Sequence, residues 1–246
     1  QCRPELRVPA LPAGSAGTRR RPLLRDRRHH RRAGLLPVAG DPRRRRPRAR
    51  RHRHQDRIGG GAAGFDYSKI AADGSVLPIQ DVAWDANGTE AAGSQWSCVR
   101  DNVTGLIWEV KTSDGGLRDS NHTYTWYNPD NSTNGGDAGV QNGGQCTGSD
   151  CDTYAFVQAV NSQGLCGATD WRMPTARELT GIVNNGRINP AIDTAYFPNT
   201  PSVWLWSSSP FANGSNDAWY VGFGDGGVGL NDKYDYGRVR LVRAGQ

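Results

Sequence analysis

No stretch of this 246-residue sequence reaches the length of apolar run that a membrane-spanning helix needs, about 18 residues. No helical span is therefore expected. A signal peptide with a compact apolar centre is missing as well, because LLPVAG at 35–40 is short and flanked by arginine. After residue 58 there is one histidine, His122. A lone imidazole cannot build a zinc site, and the cysteines are not in CxxC spacing. Neither a GxSxG nucleophile elbow nor a phosphate-binding glycine loop occurs. Gly222, Gly224, Gly226, Gly227 and Gly229 recur at short intervals, which suits twisted strands and turns rather than a GxGxxG opening onto a helix. Asp225 could pair with Asp232 or Asp235 for acid–base work, but carboxylates in glycine-rich surface read as solvated acids. An enzyme is not expected.

Aromatic residues are absent from the first 58 positions, and so is lysine. That segment carries 19 Arg against 4 acids, a charge of +15, while residues 59–246 carry 11 Lys and Arg against 20 acids, a charge of −9. The net +6 is the sum of these opposite parts. Without aromatic residues or an apolar period, residues 1–58 cannot offset their own ordering entropy, and they are expected to be disordered. One reading of the Arg runs is a polyanion-binding tail. The simpler reading is GC-rich DNA translated in a wrong frame or from upstream of the gene, and nucleic acid is not an expected partner. The glycine-rich stretch 59–64 then reads as a flexible joint, and 65–246 as one domain.

The five cysteines leave an even set in that domain, Cys98, Cys146, Cys151 and Cys166, with Cys2 outside it. Such usage points to an oxidising compartment, so the true N-terminus is expected not to be present in this sequence. Cys166 is well placed to pair with Cys98, closing a loop of 68 residues that contributes about 4 kcal/mol by the chain-entropy argument. Cys146 and Cys151 are close enough to staple the end of the polar loop 112–151. That loop is rich in Asp and Asn; turn chemistry accounts for it, with calcium through oxygen ligands as the minor alternative and no other cofactor expected.

Asp73-Gly74 marks a hairpin, and Asn102–Gly105 a turn between two strands leading into a buried Leu106, Ile107 and Trp108. Two helices follow. Asp152 caps the first, which ends near Gly164 and puts Phe156, Val157 and Val160 on one face. Thr175 and Glu178 have capping-box spacing for the second, whose stripe Leu179, Ile182 and Val183 closes at Gly186. Trp171 is expected in the core, and Arg172 as a fork on carbonyls or a carboxylate.

From Trp204 to Arg243 two kinds of position alternate. Trp204, Trp206, Trp219, Val221, Phe223, Val228, Val239, Leu241 and Val242 look built to fill a core. Between them lie Gly, Asp, Asn and Tyr in a mixture like an antibody paratope, where rigid tyrosines supply contact area and small polar residues adapt. The ligand-binding set expected in this segment is Leu205, Phe211, Tyr220, Gly222, Gly224, Asp225, Gly227, Gly229, Leu230, Asn231, Asp232, Tyr234, Asp235, Tyr236 and Arg238.

The segments CVRDNVTGLIWEVKT, TYTWYNPD, CDTYAFVQAVN, GLCGATDWRMPTARELTGIV, INPAIDTAYFPNT, WSSSPFA, AWYVGF and VRLVR occur in that order. Together they resemble the bacterial Lcl C-terminal domain family, named for the C-terminal domain of a collagen-like adhesin, over roughly residues 65–246. The resemblance implies an α+β, C-type-lectin-like fold with two helices, a small mostly antiparallel sheet and long loops. It also implies ligand binding at the bacterial surface or outside the cell, in some members to sulfated polysaccharides. The fold further includes variable proteins of diversity-generating retroelements, in which mutated adenines turn Asn codons into a restricted set of residues. Tyr220, Gly222, Gly224, Asp225, Gly227, Gly229 to Asp232 and Tyr234 to Gly237 are all reachable from an Asn codon, whereas Lys233 is not and must be frame. No Gly-X-Y repeat precedes the domain, the sugar-type calcium motifs of C-type lectins are missing, and the acidic domain argues against sulfated polysaccharide by simple charge attraction. The expected partner is a protein or glycan on another cell, phage or host surface. A carbohydrate-binding adhesin of fixed specificity, using loop 112–151, is the alternative.

Overall fold

The computed structural model describes residues 59–245. The disorder expected over 1–58 lies outside the described residues. In chain order the elements are β1 (Tyr67–Ile70), β2 (Cys98–Asp101), β3 (Leu106–Glu109), α1 (Thr153–Gln163), α2 (Ala176–Thr180), β4 (Trp204–Pro210), β5 (Asp217–Gly222), β6 (Val228–Asp232) and β7 (Val242–Ala244). The fold is α+β. Its strands form two small antiparallel sheets rather than one: β1-β2-β3-β7 and the meander β4-β5-β6.

The first sheet forms where the turn signals placed it. Gly105 takes a left-handed φ of 76°, and its N–H donates to the Asp101 carbonyl at 2.8 Å, turning β2 into β3. Strand alternation then sends side chains to both faces. Val99, Trp108 and Val242 share a row facing one core cluster, with Tyr67, Phe197 and Phe223. Arg100, Ile107 and Arg243 share a row on the other face. Gly59–Gly64, expected as a flexible joint, is instead tied back: Gly60 and Tyr67 exchange two backbone hydrogen bonds, and Ala62 N–H donates to Asp193. A side chain at Gly59 would strike the Tyr67 carbonyl, so glycine there serves close approach.

Asp152 caps α1 by accepting from Ala155 N–H at 2.8 Å, and Gly164 ends it with φ 67°. The capping box of α2 is present in both directions between Thr175 and Glu178. The helix stops at Thr180, short of the expected Gly186, because the Asn184 N–H pairs with the Ala191 carbonyl and draws the chain aside. Ile182 and Val183 are buried nonetheless. Arg172 bridges both Glu178 oxygens and the Met173 carbonyl, and the Trp171 indole donates to Leu165 from the core.

Both disulfides form, Cys98–Cys166 and Cys146–Cys151. Loop 112–151 is held by side chains as much as by its staple. Asp119 accepts from Gly115 and Asn121 N–H, Asp130 from Ser132 and Thr133, and Asp137 from Gly139 N–H. These are turn contacts that side-chain oxygens of Asp make with nearby backbone. Tyr124 and Trp126 run through the loop as a buried spine, their indole and ring packed beneath the second sheet with Trp206. Among the described residues no group of three or more His, Cys, Asp and Glu is placed to hold a metal ion, and no helix is long and apolar enough to cross a membrane.

Candidate ligand-binding surface

The second sheet carries the candidate site. Leu205 and Val221 are register partners and face the first core cluster, while Trp206 and Tyr220 are partners on the opposite face. Each face is covered at one end, so the simple split into inward and outward positions along this segment breaks down. Leu205 is 2 % exposed. It is a core residue and is removed from the ligand-binding set. Val228, expected in the core, is 49 % exposed, because it begins an edge strand beyond the reach of the cluster. Trp204 and Trp219 are half-buried rather than enclosed.

The β5–β6 hairpin is the most constrained part of the surface. Gly222 N–H donates to Gly227, and Gly226 N–H to Gly222, both at 2.7–2.8 Å. Gly226 has φ 87°, and a Cβ there would meet the Val183 side chain at 2.6 Å. The Phe223 and Gly224 backbones are stitched between Val203 on one side and Asn189 and Ala191 on the other. This leaves a hollow of about 510 Å³. Its floor is Gly222, Gly224 and Gly227; Trp204 and Tyr220 wall one side, their ring centroids 5.3 Å apart. Ile188 (71 % exposed), Val203 and Val228 form an apolar rim, and Asp225 is the charged group in the lining.

The glycines here are not equivalent. A Cβ at Gly222 or Gly224 comes no closer than 3.4 Å to anything, and at Gly227 it approaches only the Asp225 side chain, at 3.1 Å. None of these three needs a positive φ. They can accept side chains. A Cβ at Gly237 would lie 2.3 Å from the Trp204 ring and 2.8 Å from Trp206, and one at Gly229 would lie 2.5 Å from the Tyr220 hydroxyl. Gly237 is therefore frame, and Gly229 is tied to the size of residue 220.

Tyr234, Asp235 and Tyr236 form an exposed turn after β6, closed by Asp235 N–H on the Asp232 carbonyl and Tyr234 N–H on the Asp232 carboxylate. Lys233, which immediately precedes this turn, is 0 % exposed. Its ammonium donates to the carbonyls of Asn134, Asp137 and Ser215 at 2.5–2.8 Å and lies 4.3 Å from the Trp126 ring centroid. Burial lowers its pKa. Lys233 is the bolt that fastens the tyrosine turn to loop 112–151.

Five of the sequence-derived residues thus meet at the hollow (Tyr220, Gly222, Gly224, Asp225, Gly227) and three at the turn. Phe211 lies apart, edge-on to Trp219 at 5.8 Å, with Leu230 opposite Trp219 in register. Asn231 and Asp232 are half-buried on β6, and Asp232 also accepts from Asn216. Arg238 is half-buried and joins the frame through its backbone bonds to Trp204 and Trp206. Sequence reasoning missed Ile188, Asn189, Ser202 and Val203. The available signal was Ile188, an apolar residue in INPAI outside the stripe of the second helix.

A model of the Lcl C-terminal domain matches residues 97–243. The chain belongs to the Lcl C-terminal domain family. No curated protein and no solved structure gives a match. The Lcl C-terminal domain match takes in both disulfides, both helices and the whole second sheet. β1 lies outside the matched span, yet in this chain it completes the first sheet through four register pairs with β2. A second cavity of about 500 Å³ lies between α1 and loop 112–151, lined by Tyr127, Asn128, Tyr154, Val157 and Met173 among others.

Proposed function

We propose that this chain is an adhesin- or receptor-type binding protein acting outside the cell, which displays a varied surface on a C-type-lectin-like scaffold. It is read as the variable protein of a diversity-generating retroelement. The observation that carries this reading is the division of the terminal segment by steric room. Positions reachable from an Asn codon at the hollow and the turn have space for other side chains, whereas Gly229 and Gly237, also reachable, do not. Lys233, which is not reachable, is buried and bonded to three carbonyls. Two disulfides fit an oxidising compartment. An aromatic wall, an apolar rim and rigid tyrosines suit a protein partner, whose side chain would fill the hollow.

The test is genomic and then biochemical. A near-copy of the DNA encoding 204–243, differing at adenines and beside a reverse transcriptase gene, is expected; its absence would sink the diversification reading. Once a ligand is captured, Tyr234→Ala with Tyr236→Ala should abolish binding at unchanged melting temperature. Unfolding of that variant would instead make the tyrosines structural.

One observation favours the second reading, a carbohydrate-binding adhesin of fixed specificity. The cavity beside α1 presents Tyr127 and Tyr154, with ring centroids 6.2 Å apart, next to Asn128 and Gln158. Aromatic faces with nearby amides suit a sugar ring. A glycan array read with Tyr154→Ala separates the readings, since that change leaves the hollow untouched.

A further inference from the structure

The face of the first sheet that carries Arg100 holds an arrangement that neither reading uses. Arg100 on β2, Ile107 on β3 and Arg243 on β7 are successive register partners, so the two arginines flank one buried isoleucine, two strands or about 10 Å apart. They line a cavity of about 440 Å³ whose other wall is Asp73 and the segment Cys166–Asp170. Arg243 is 7 % exposed, and its Nε donates to Asp170 Oδ1 at 2.5 Å. That bond fixes the plane of its guanidinium and leaves the terminal nitrogens without a partner among the described residues.

Arg100 is half-buried, its Nε is buried with no hydrogen-bond acceptor, and its terminal nitrogens make no bond among the described residues. A guanidinium has five donors, and leaving donors of a partly buried cation unmade costs free energy that a protein ordinarily avoids. The terminal nitrogens are the donors that open to the cavity. Arg172, Arg240 and Arg243 each have a side-chain acceptor in place; Arg238 shares the buried, unpaired Nε of Arg100 but does not line this cavity.

We infer that this cavity binds a small polar molecule carrying one carboxylate, held between the guanidinium groups of Arg100 and Arg243. A planar carboxylate matches a guanidinium fork with two parallel hydrogen bonds. Two arginines stand against two carboxylates, Asp73 and Asp170, so the lining carries no net charge, and a dianion such as sulfate or phosphate meets more repulsion from those carboxylates than a monoanion does. The Thr169 hydroxyl and the polar walls suit hydroxyl-bearing substituents. None of the lining residues belongs to the hollow on the second sheet, so this inference and the proposed function fail or survive separately.

The experiment is a titration of the full ¹⁵N-labelled chain at constant ionic strength, following the Arg100 and Arg243 side-chain Nε–H signals by NMR. The probes are sodium glucuronate, sodium acetate, sodium sulfate, sodium chloride and neutral glucose. Saturable shifts of both arginines with glucuronate and acetate, and none with chloride or glucose, are expected. Arg100→Gln should remove the saturable response, and Arg100→Lys should weaken it about tenfold. Absence of saturation by either carboxylate overturns the inference, as does an unchanged response in Arg100→Gln. Saturation by sulfate at lower concentration than by glucuronate would also overturn it, making this a tetrahedral oxyanion site. If Arg100→Gln does not fold, the glucuronate-against-glucose comparison on the unaltered chain still decides.

Discussion

Lys233 shows how much of this surface depends on one side chain. Its ammonium satisfies three backbone carbonyls from two different loops. Lys233→Met would fill the same space over Trp126 but leave those acceptors unpaired in the interior, a loss of about 2–4 kcal/mol. Chemical denaturation should register it as a lower midpoint. Under the proposed diversification the sequence marks this residue as frame, because no adenine change in an Asn codon yields lysine; what it bonds to was not legible, since Asn134 and Asp137 are about a hundred residues away. Leu205 shows the converse. It stands next to the proposed binding positions in sequence, yet strand register with Val221 turns it inward. A second residue-scale prediction concerns Gly229, whose Cβ position is filled by the Tyr220 hydroxyl. Gly229→Ser should destabilise the chain that keeps Tyr220 by about 1–2 kcal/mol, and much less in a Tyr220→Ser background. A double-mutant cycle by thermal melting measures the coupling.

At the scale of elements, α2 owes its existence to its cap. Five residues are too few for a stable isolated helix, and the reciprocal Thr175–Glu178 bonds fix its first turn, reinforced by Arg172 on both Glu178 oxygens. The Arg172 hydrogen bonds, then backbone and charge contacts, lower the Glu178 pKa to about 2 from 4.5. Because the folded value lies below the unfolded one, this stabilisation is complete above pH 4.5 and is lost as pH falls towards 2. Glu178→Gln should therefore lower the melting temperature at pH 7 and leave it little changed at pH 2. Melting curves of the two proteins across that range check the sign. The start of this helix was readable from four letters. Its end was not: the apolar stripe at Ile182 and Val183 reports burial, and here burial continues after the helix has stopped. Val228 shows the opposite: an apolar letter in a strand sits on an exposed edge.

For the whole molecule, disulfide and sheet work together. Cys98 lies on β2 and Cys166 in the turn after α1, so the bond joins the first sheet to the helical segment across a 68-residue separation. β7 then returns the C-terminal segment to that sheet beside β3, closing the frame on which the second sheet is held. The pairing and the antiparallel character were legible in cysteine spacing and turn signals. The division into two sheets was not, because isolated bridges such as Tyr124 with Gly237 and Leu205 with Arg238 knit distant segments without any local pattern.

The central claim is that this frame tolerates change at the hollow and the turn but not between them. Thermal melting tests it most directly: Gly222, Gly224, Asp225, Gly227, Tyr234, Asp235 and Tyr236, each replaced singly by serine, compared with the single change Gly237→Ser. Open surface positions each contribute within about 0.5 kcal/mol, so each of these variants should melt close to the parent chain. Gly237→Ser, which drives a side chain into the Trp204 and Trp206 rings, should cost about 2 kcal/mol or more. A serine variant at the hollow or the turn that melts as low as Gly237→Ser would contradict the account.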